Sequence, residues 1–246
     1  MSSLVIGDVQ GLVVKAFVLE ALTNKPGCTT RYEDLPGKPL QDFVIAGINS
    51  ADVFGKFAGT FEKNSDIYSY NVAALKASNK HKSPKYINFG LLEIMFPAVA
   101  ARLMTNSPDL IIDTIINLIK RPNNNDVGSL LATRELAWST SETPHKINFK
   151  PNKYKDLGTV WDFYMAINSD FTSDNSNFQW TEQFRLGLPI LRAIFNEYTK
   201  EGEVMQTTES IFSIQKESNH KVAIGIIADM CAAAIFLWLS FNDRPA

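Results

Sequence analysis

Apolar residues along this chain recur at spacings of three and four rather than two, the period of helices that bury one face. In residues 7–23, GDVQGLVVKAFVLEALT, the series Val9, Leu12, Val13, Ala16, Phe17 and Leu19 marks one face. Lys15 and Glu20 are expected on the charged face opposite. A second helix is expected after Pro39, with Phe43, Val44, Gly47, Ile48, Ala51 and Phe54 on one broad face and Gly55 and Gly59 weakening its end. A short helical segment follows near 67–78. Residues 89–104, FGLLEIMFPAVAARLM, read as a long apolar helix in which Pro97 removes a donor and predicts a kink.

Helix starts are punctuated in the second half as well. Ser107-Pro108-Asp109 supplies a capping hydroxyl, a proline at the first helical position and an early acid. That helix ends before Pro122, and Asn123 to Asp126 opens another that runs through Trp138. The strip STSETPHKINFKPNKYKD, residues 139–156, is the longest polar break and reads as a surface loop, a domain boundary or a lid. Helical patterns resume in LGTVWDFYMAI, around residues 181–198, in TTESIFSI and in an apolar terminal segment. Alternating segments are almost absent and no internal repeat is visible. The expectation is an all-α chain: one multi-helix bundle of about nine or ten helices, forming a single domain over 1–246.

Composition narrows the setting. With 45% hydrophobic and 20% charged residues the chain has soluble-globular proportions. A net charge of −2 gives no global positive field to gather nucleic acid or an anionic membrane. Two cysteines, Cys28 and Cys231, exclude a disulfide scaffold and a four-thiolate zinc site, and a reducing, cytoplasmic setting is expected. The N-terminus lacks a basic leader, and Asp8 and Gln10 interrupt its apolar run, so no signal peptide is expected there. Residues 222–239, VAIGIIADMCAAAIFLWL, contain one charge, Asp229. A mid-span aspartate costs roughly 2.5–3.5 kcal/mol in a membrane, and the small residues suit close packing, so a central buried helix is expected and no membrane.

Candidate chemistry is sparse. There is no phosphate loop of the GxxxxGKS/T kind, no HExxH and no GxSxG. His81, His145 and His220 stand in separate polar segments and suggest no metal cluster. Two lysine-rich patches, 76–85 and 145–155, suit solvated loops; single-stranded nucleic acid is the less favoured partner, and holding a substrate's phosphates is physically easier. The loop after the first helix combines Glu20, Lys25, Arg31, Glu33 and Asp34, and carboxylates gathered from several helices can hold Mg²⁺ against phosphates. Glu93 and Asp229, acids inside apolar segments, each need a partner or a wet cavity.

On these residues the chain resembles a known family. LEALTNKPGCTTRYEDLPGKPLQDFVIAGINSADVF, residues 19–54, is similar to the first motif region of the triphosphoribosyl-dephospho-CoA synthase family, especially its shorter archaeal relatives. That family has a Glu before a Pro-Lys-Pro-Gly turn, then a basic residue and an acid. Glu20, Asn24-Lys25-Pro26-Gly27, Arg31 and Asp34 stand there in this chain, with Asn24 replacing the first proline. Tyr86-Ile87-Asn88-Phe89-Gly90 resembles the family's turn ending in Gly, WDFYMAINSDF aligns Asp162 with a family Asp, and KESNHK (216–221) stands where the family has an acid–hydroxyl pair. The later motifs depart from the family's form.

The resemblance implies an all-helical transferase that joins dephospho-CoA to the ribose of ATP and releases adenine, with a divalent ion, Mg²⁺. It implies Glu20 and Asp34 as catalytic and metal-binding, and Lys25, Gly27, Arg31, Asn88, Gly90 and Asp162 as substrate-binding. A nucleotide small molecule is the expected partner, and a homo-oligomer is left open. The competing readings are a helical nucleoprotein and a helical scaffold or assembly protein.

Overall fold

A computed structural model describes residues 6–25, 27–79, 88–140, 150–171, 182–217 and 224–242. Ten α-helices account for most of them: α1 (Ile6–Leu22), α2 (Leu40–Thr60), α3 (Asn71–Ser78), α4 (Phe89–Met104), α5 (Pro108–Lys120), α6 (Asn124–Thr140), α7 (Val160–Phe171), α8 (Gln183–Glu201), α9 (Val204–Glu217) and α10 (Ile224–Asn242). The all-α bundle expected from the periodicity is the fold. Among the described residues the only β pairing is one isolated bridge, Leu35 to Lys38.

The most apolar helix, α10, lies at the centre, packed against α1, α4 and α8. By length and composition it could cross a membrane, yet most of it is buried among its neighbours. Val9, Leu12, Val13, Ala16 and Phe17 of α1 are buried as their spacing predicts, but Glu20, expected on the charged face, is only 6% exposed. The buried side of α2 differs in part from the expected one. Gly47, Ala51 and Phe54 are buried as expected, but Ile48 is 51% exposed, and Ala46, Ser50, Val53 and Phe57 face inward as well. Glycine lets α1 approach this face closely: a β-carbon on Gly47 would lie 2.6 Å from Phe17 Cβ, and one on Gly55 would lie 2.5 Å from Gln10 Cγ. Gly55 is therefore a point of close helix approach and does not end α2, which continues to Thr60.

Several helix ends follow local chemistry. Asn123 Oδ1 accepts from the amides of Asn125 and Asp126 and caps α6. Gly202, at φ 76°, closes α8 with the left-handed residue such ends favour. Ser107 precedes α5 as expected, with Pro108 at the first position, but its hydroxyl makes no capping bond. The polar strip 139–156 is described only in part: its 141–149 stretch, with His145, lies outside the described residues, while Tyr154 is buried with its ring edge-on to Phe163 at 6.0 Å. His81, His220 and Lys80, Lys82 and Lys85 of the first lysine patch also lie outside them.

Helix α4 runs unbroken through Pro97. Proline at 97 leaves the carbonyl of Glu93 without its helical donor. The buried Tyr68 hydroxyl supplies the missing bond, donating to Glu93 O at 2.8 Å. The Glu93 side chain is also answered. Its Oε2 accepts from Arg134 Nη2 at 2.8 Å and from the Tyr164 hydroxyl, and Phe89, Phe163 and Tyr164 surround the guanidinium. Asp126 ties the 61–70 loop to α6 by accepting the Tyr68 amide at 2.8 Å.

Two outcomes follow for stability. Tyr68→Phe is expected to cost about 1–3 kcal/mol in urea unfolding. Adding Pro97→Ala is expected to return part of that loss, because the restored amide at position 97 can take the Glu93 carbonyl; additive losses would contradict this pairing. Burial pushes the Asp126 carboxyl from its ordinary 3.8 to about 7, against the smaller opposing effects of the Tyr68 amide and Arg121. The folded state then holds this proton more tightly than the unfolded chain. The group's contribution to stability is full below pH 3.8 and is lost as pH rises through about 7. Asp126→Asn is expected to reduce the fall in urea midpoint between about pH 4 and about pH 8.

Candidate functional site

The loop between α1 and α2 is held by its own side chains. Thr29 Oγ1 donates to Lys38 O at 2.6 Å and accepts the Leu35 amide at 3.1 Å, while Thr30 Oγ1 accepts the amides of Tyr32 and Glu33. Lys25, 2% exposed, turns back onto the end of α1, where its ammonium donates to both the carboxylate and the carbonyl of Glu20. A buried pair of this kind costs desolvation on both ions, and it persists because each answers the other. Gly27, at φ 88°, brings the loop against α10: a β-carbon there would lie 2.9 Å from Ile224 Cδ1.

Beside this pair the starts of α4 and α8 meet the second turn of α10. A β-carbon on Gly90, the second residue of α4, would lie 2.2 Å from Asp229 Oδ2, so only glycine leaves room for the α10 carboxyl against α4. Gln183, the first residue of α8 and 2% exposed, donates from Nε2 to Asp229 Oδ2 at 3.1 Å and to Gly90 O at 3.2 Å. One amide thus joins α4, α8 and α10. Desolvation raises the Asp229 carboxyl well above the usual range, and the neighbouring charges of Glu20 and Glu93 add to the rise against Lys25 and the Gln183 bond. The residue as a whole nonetheless keeps part of its surface, unlike Glu20 and Glu93. Cys28 lies in the same field, and burial pushes its thiol up to about 11, so it is no thiolate nucleophile at neutral pH.

The expected site residues divide into two groups. Glu20, Lys25, Gly27 and Gly90 gather around the start of α10, and Asn88, left-handed at φ 62°, immediately precedes α4 with a side chain that does not cap it. Asp34 is exposed and accepts the Leu40 amide at 2.7 Å, which caps α2. Arg31, also exposed, lies over Tyr32 and 3.9 Å from Glu209 of α9. Asp162 is exposed in the first turn of α7. Glu20 is thus paired with the Lys25 ammonium, and Asp34 serves the start of α2. Among the described residues no three His, Cys, Asp or Glu side chains are grouped to hold a metal ion. Asp229 was visible in the sequence as the lone acid of an apolar helix; Gln183 carried no signal, since nothing local relates it to residues 90 and 229.

A surface groove of about 410 Å³ between α5 and α8, lined by Asp109, Arg192 and Lys200 among others, shares no residue with this cluster. The fit at Gly90 has a direct check. Gly90→Ala is expected to lower the thermal midpoint in the native chain, since the added methyl displaces the Asp229 carboxyl. In an Asp229→Ala background the same change is expected to stabilise by up to about 1 kcal/mol through helix propensity. The same sign in both backgrounds would contradict the contact.

Neither the curated proteins nor the solved structures gave a significant match to this chain. A family model does match, that of the CitG family, described as ATP:dephospho-CoA triphosphoribosyl transferase, over residues 7–214. The match takes in α1, the α1–α2 loop, α4 and α8, which supply Glu20, Lys25, Gly90 and Gln183 to the cluster. With most of its length matched and an all-helical fold, the chain belongs to the family of ATP:dephospho-CoA triphosphoribosyl transferases.

Proposed function

We propose that the chain moves the triphosphoribosyl group of ATP onto a hydroxyl of dephospho-CoA or a closely related acceptor, releasing adenine, at the junction of α1 with the starts of α4, α8 and α10. The observation that carries this reading is the convergence of the starts of α4 and α8 with the second turn of α10 on Gly90, Gln183 and Asp229. Helix starts present unpaired amides and a positive dipole end, a setting that favours anionic groups such as a triphosphate. Arg31 and Lys38, exposed on the adjoining loop, add charge for phosphate oxygens. Lys25, already held by Glu20, supports the loop's shape in this reading. Asn88 orients a ribose or base, and magnesium enters with the triphosphate it neutralises. The site's contribution is positioning and electrostatic stabilisation. The cytoplasm, where ATP is supplied, is the compartment this reading assigns.

The test is incubation of the purified chain with ATP, magnesium and dephospho-CoA, followed by chromatography for adenine and mass spectrometry of the acceptor. Adenine and a triphosphoribosylated acceptor are expected in equal amounts. Arg31→Ala is expected to raise the KM for ATP by about 10-fold or more, the cost of one charged hydrogen bond. Absence of adenine with dephospho-CoA and with related adenylated acceptors would overturn the reading.

A further inference from the structure

The transfer named above breaks the bond between the ribose C1′ and a purine ring nitrogen. Unassisted, the purine would leave as an anion, so a proton donor beside it lowers the barrier. We propose that Asp229 is the catalytic acid of this step, giving its carboxyl proton to a ring nitrogen of the departing purine. The proposal rests on the transferase reading and adds to it a residue that no sequence motif marked.

The geometry singles out this carboxyl. Asp229 is the only charged side chain of α10, set in the second turn of the most apolar helix. Position 90 has no side chain to obstruct it, and Gln183 spends its amide donors on Asp229 Oδ2 and Gly90 O. Among the described residues only Gln183 bonds this carboxyl, which leaves Oδ1 as the atom to carry a proton outward. The other two acids of the neighbourhood are committed, Glu20 to Lys25 and Glu93 to Arg134 and Tyr164, and both are buried.

The groups facing Asp229 are Glu20 from α1, Lys25 and Cys28 from the loop, Glu93 from α4 and Gln183 from α8. Desolvation and the two carboxylates outweigh Lys25 and the amide, so the carboxyl holds its proton more tightly than an exposed aspartate does. In the step, the C1′–N bond breaks with its electron pair going to the purine, which takes the Asp229 proton. The acceptor hydroxyl forms the new C1′–O bond, and its released proton returns to the Asp229 carboxylate. The net result is one proton moved from acceptor to purine, with no oxidant or reductant.

The test compares ATP with an N7-methylated purine nucleoside triphosphate, whose base already carries positive charge and leaves as a neutral molecule without an added proton. In Asp229→Asn, turnover of ATP is expected to fall by about 100-fold or more, while turnover of the methylated nucleotide stays within about 10-fold of the native chain. The native pH profile on ATP is expected to decline on its basic side, and that decline is expected to vanish in the variant. Asp229→Ser serves the same comparison if the asparagine variant does not fold. Equal losses on both nucleotides, or no loss on ATP, would overturn the acid role and leave the transferase reading standing. A native chain that releases base from neither nucleotide would overturn the transferase reading, and the acid role with it.

Discussion

The carboxyl of Asp229 enters the bundle on its central and most apolar helix, and much of the surrounding structure accommodates it. A carboxyl taken out of water is costly unless it is bonded or neutralised. Here three devices act together: glycine at position 90 makes room, the Gln183 amide gives a bond, and the raised titration of the group allows it to be neutral. Because these come from α4, α8 and α10, meeting the requirement also fixes how these three helices sit against one another. The same contacts that order the core thus hold the polar cluster proposed for the substrate.

Other buried charges follow the same rule with different partners. Lys25 is matched by Glu20, so a loop with two prolines and two glycines between Lys25 and Lys38 stays pinned to the end of α1. Arg134 is matched by Glu93 and enclosed by aromatic rings, while the backbone of Glu93, freed by Pro97, is served by Tyr68. Truncating one member of such a pair leaves its partner uncompensated, which is usually worse than losing both. The two networks share a residue: Glu93 belongs to the ion pair with Arg134 and also to the field around Asp229.

The opening loop changes meaning once its contacts are seen. Its acids and bases suggested a ligand set, and the structure gives most of them local partners: Asp34 an α2 amide, Lys25 the Glu20 carboxylate, Arg31 the nearby Glu209. Outward the loop presents Arg31 and Lys38 beside Tyr32, Glu33 and Asp34, and inward it packs against the start of α10. This is why the residues nearest the proposed chemistry come as much from α4, α8 and α10 as from the motif that first drew notice.

The sequence by itself determined the helices, their order and most of their ends, because a 3.6-residue apolar period and capping residues act within a few neighbours. It also marked the family through one contiguous motif, and it exposed Asp229 and Glu93 as acids in apolar surroundings. It could not show that α2 leaves Ile48 outside and sets Gly47 against Phe17 of α1, that Glu20 is buried, or that Gln183 and Gly90 close around Asp229. Those facts depend on which helix faces lie within a few ångströms of each other across distances of 30 to more than 100 residues in the chain. Close approach and desolvation exist only after packing, so the site's electrostatics were decided by the tertiary structure alone.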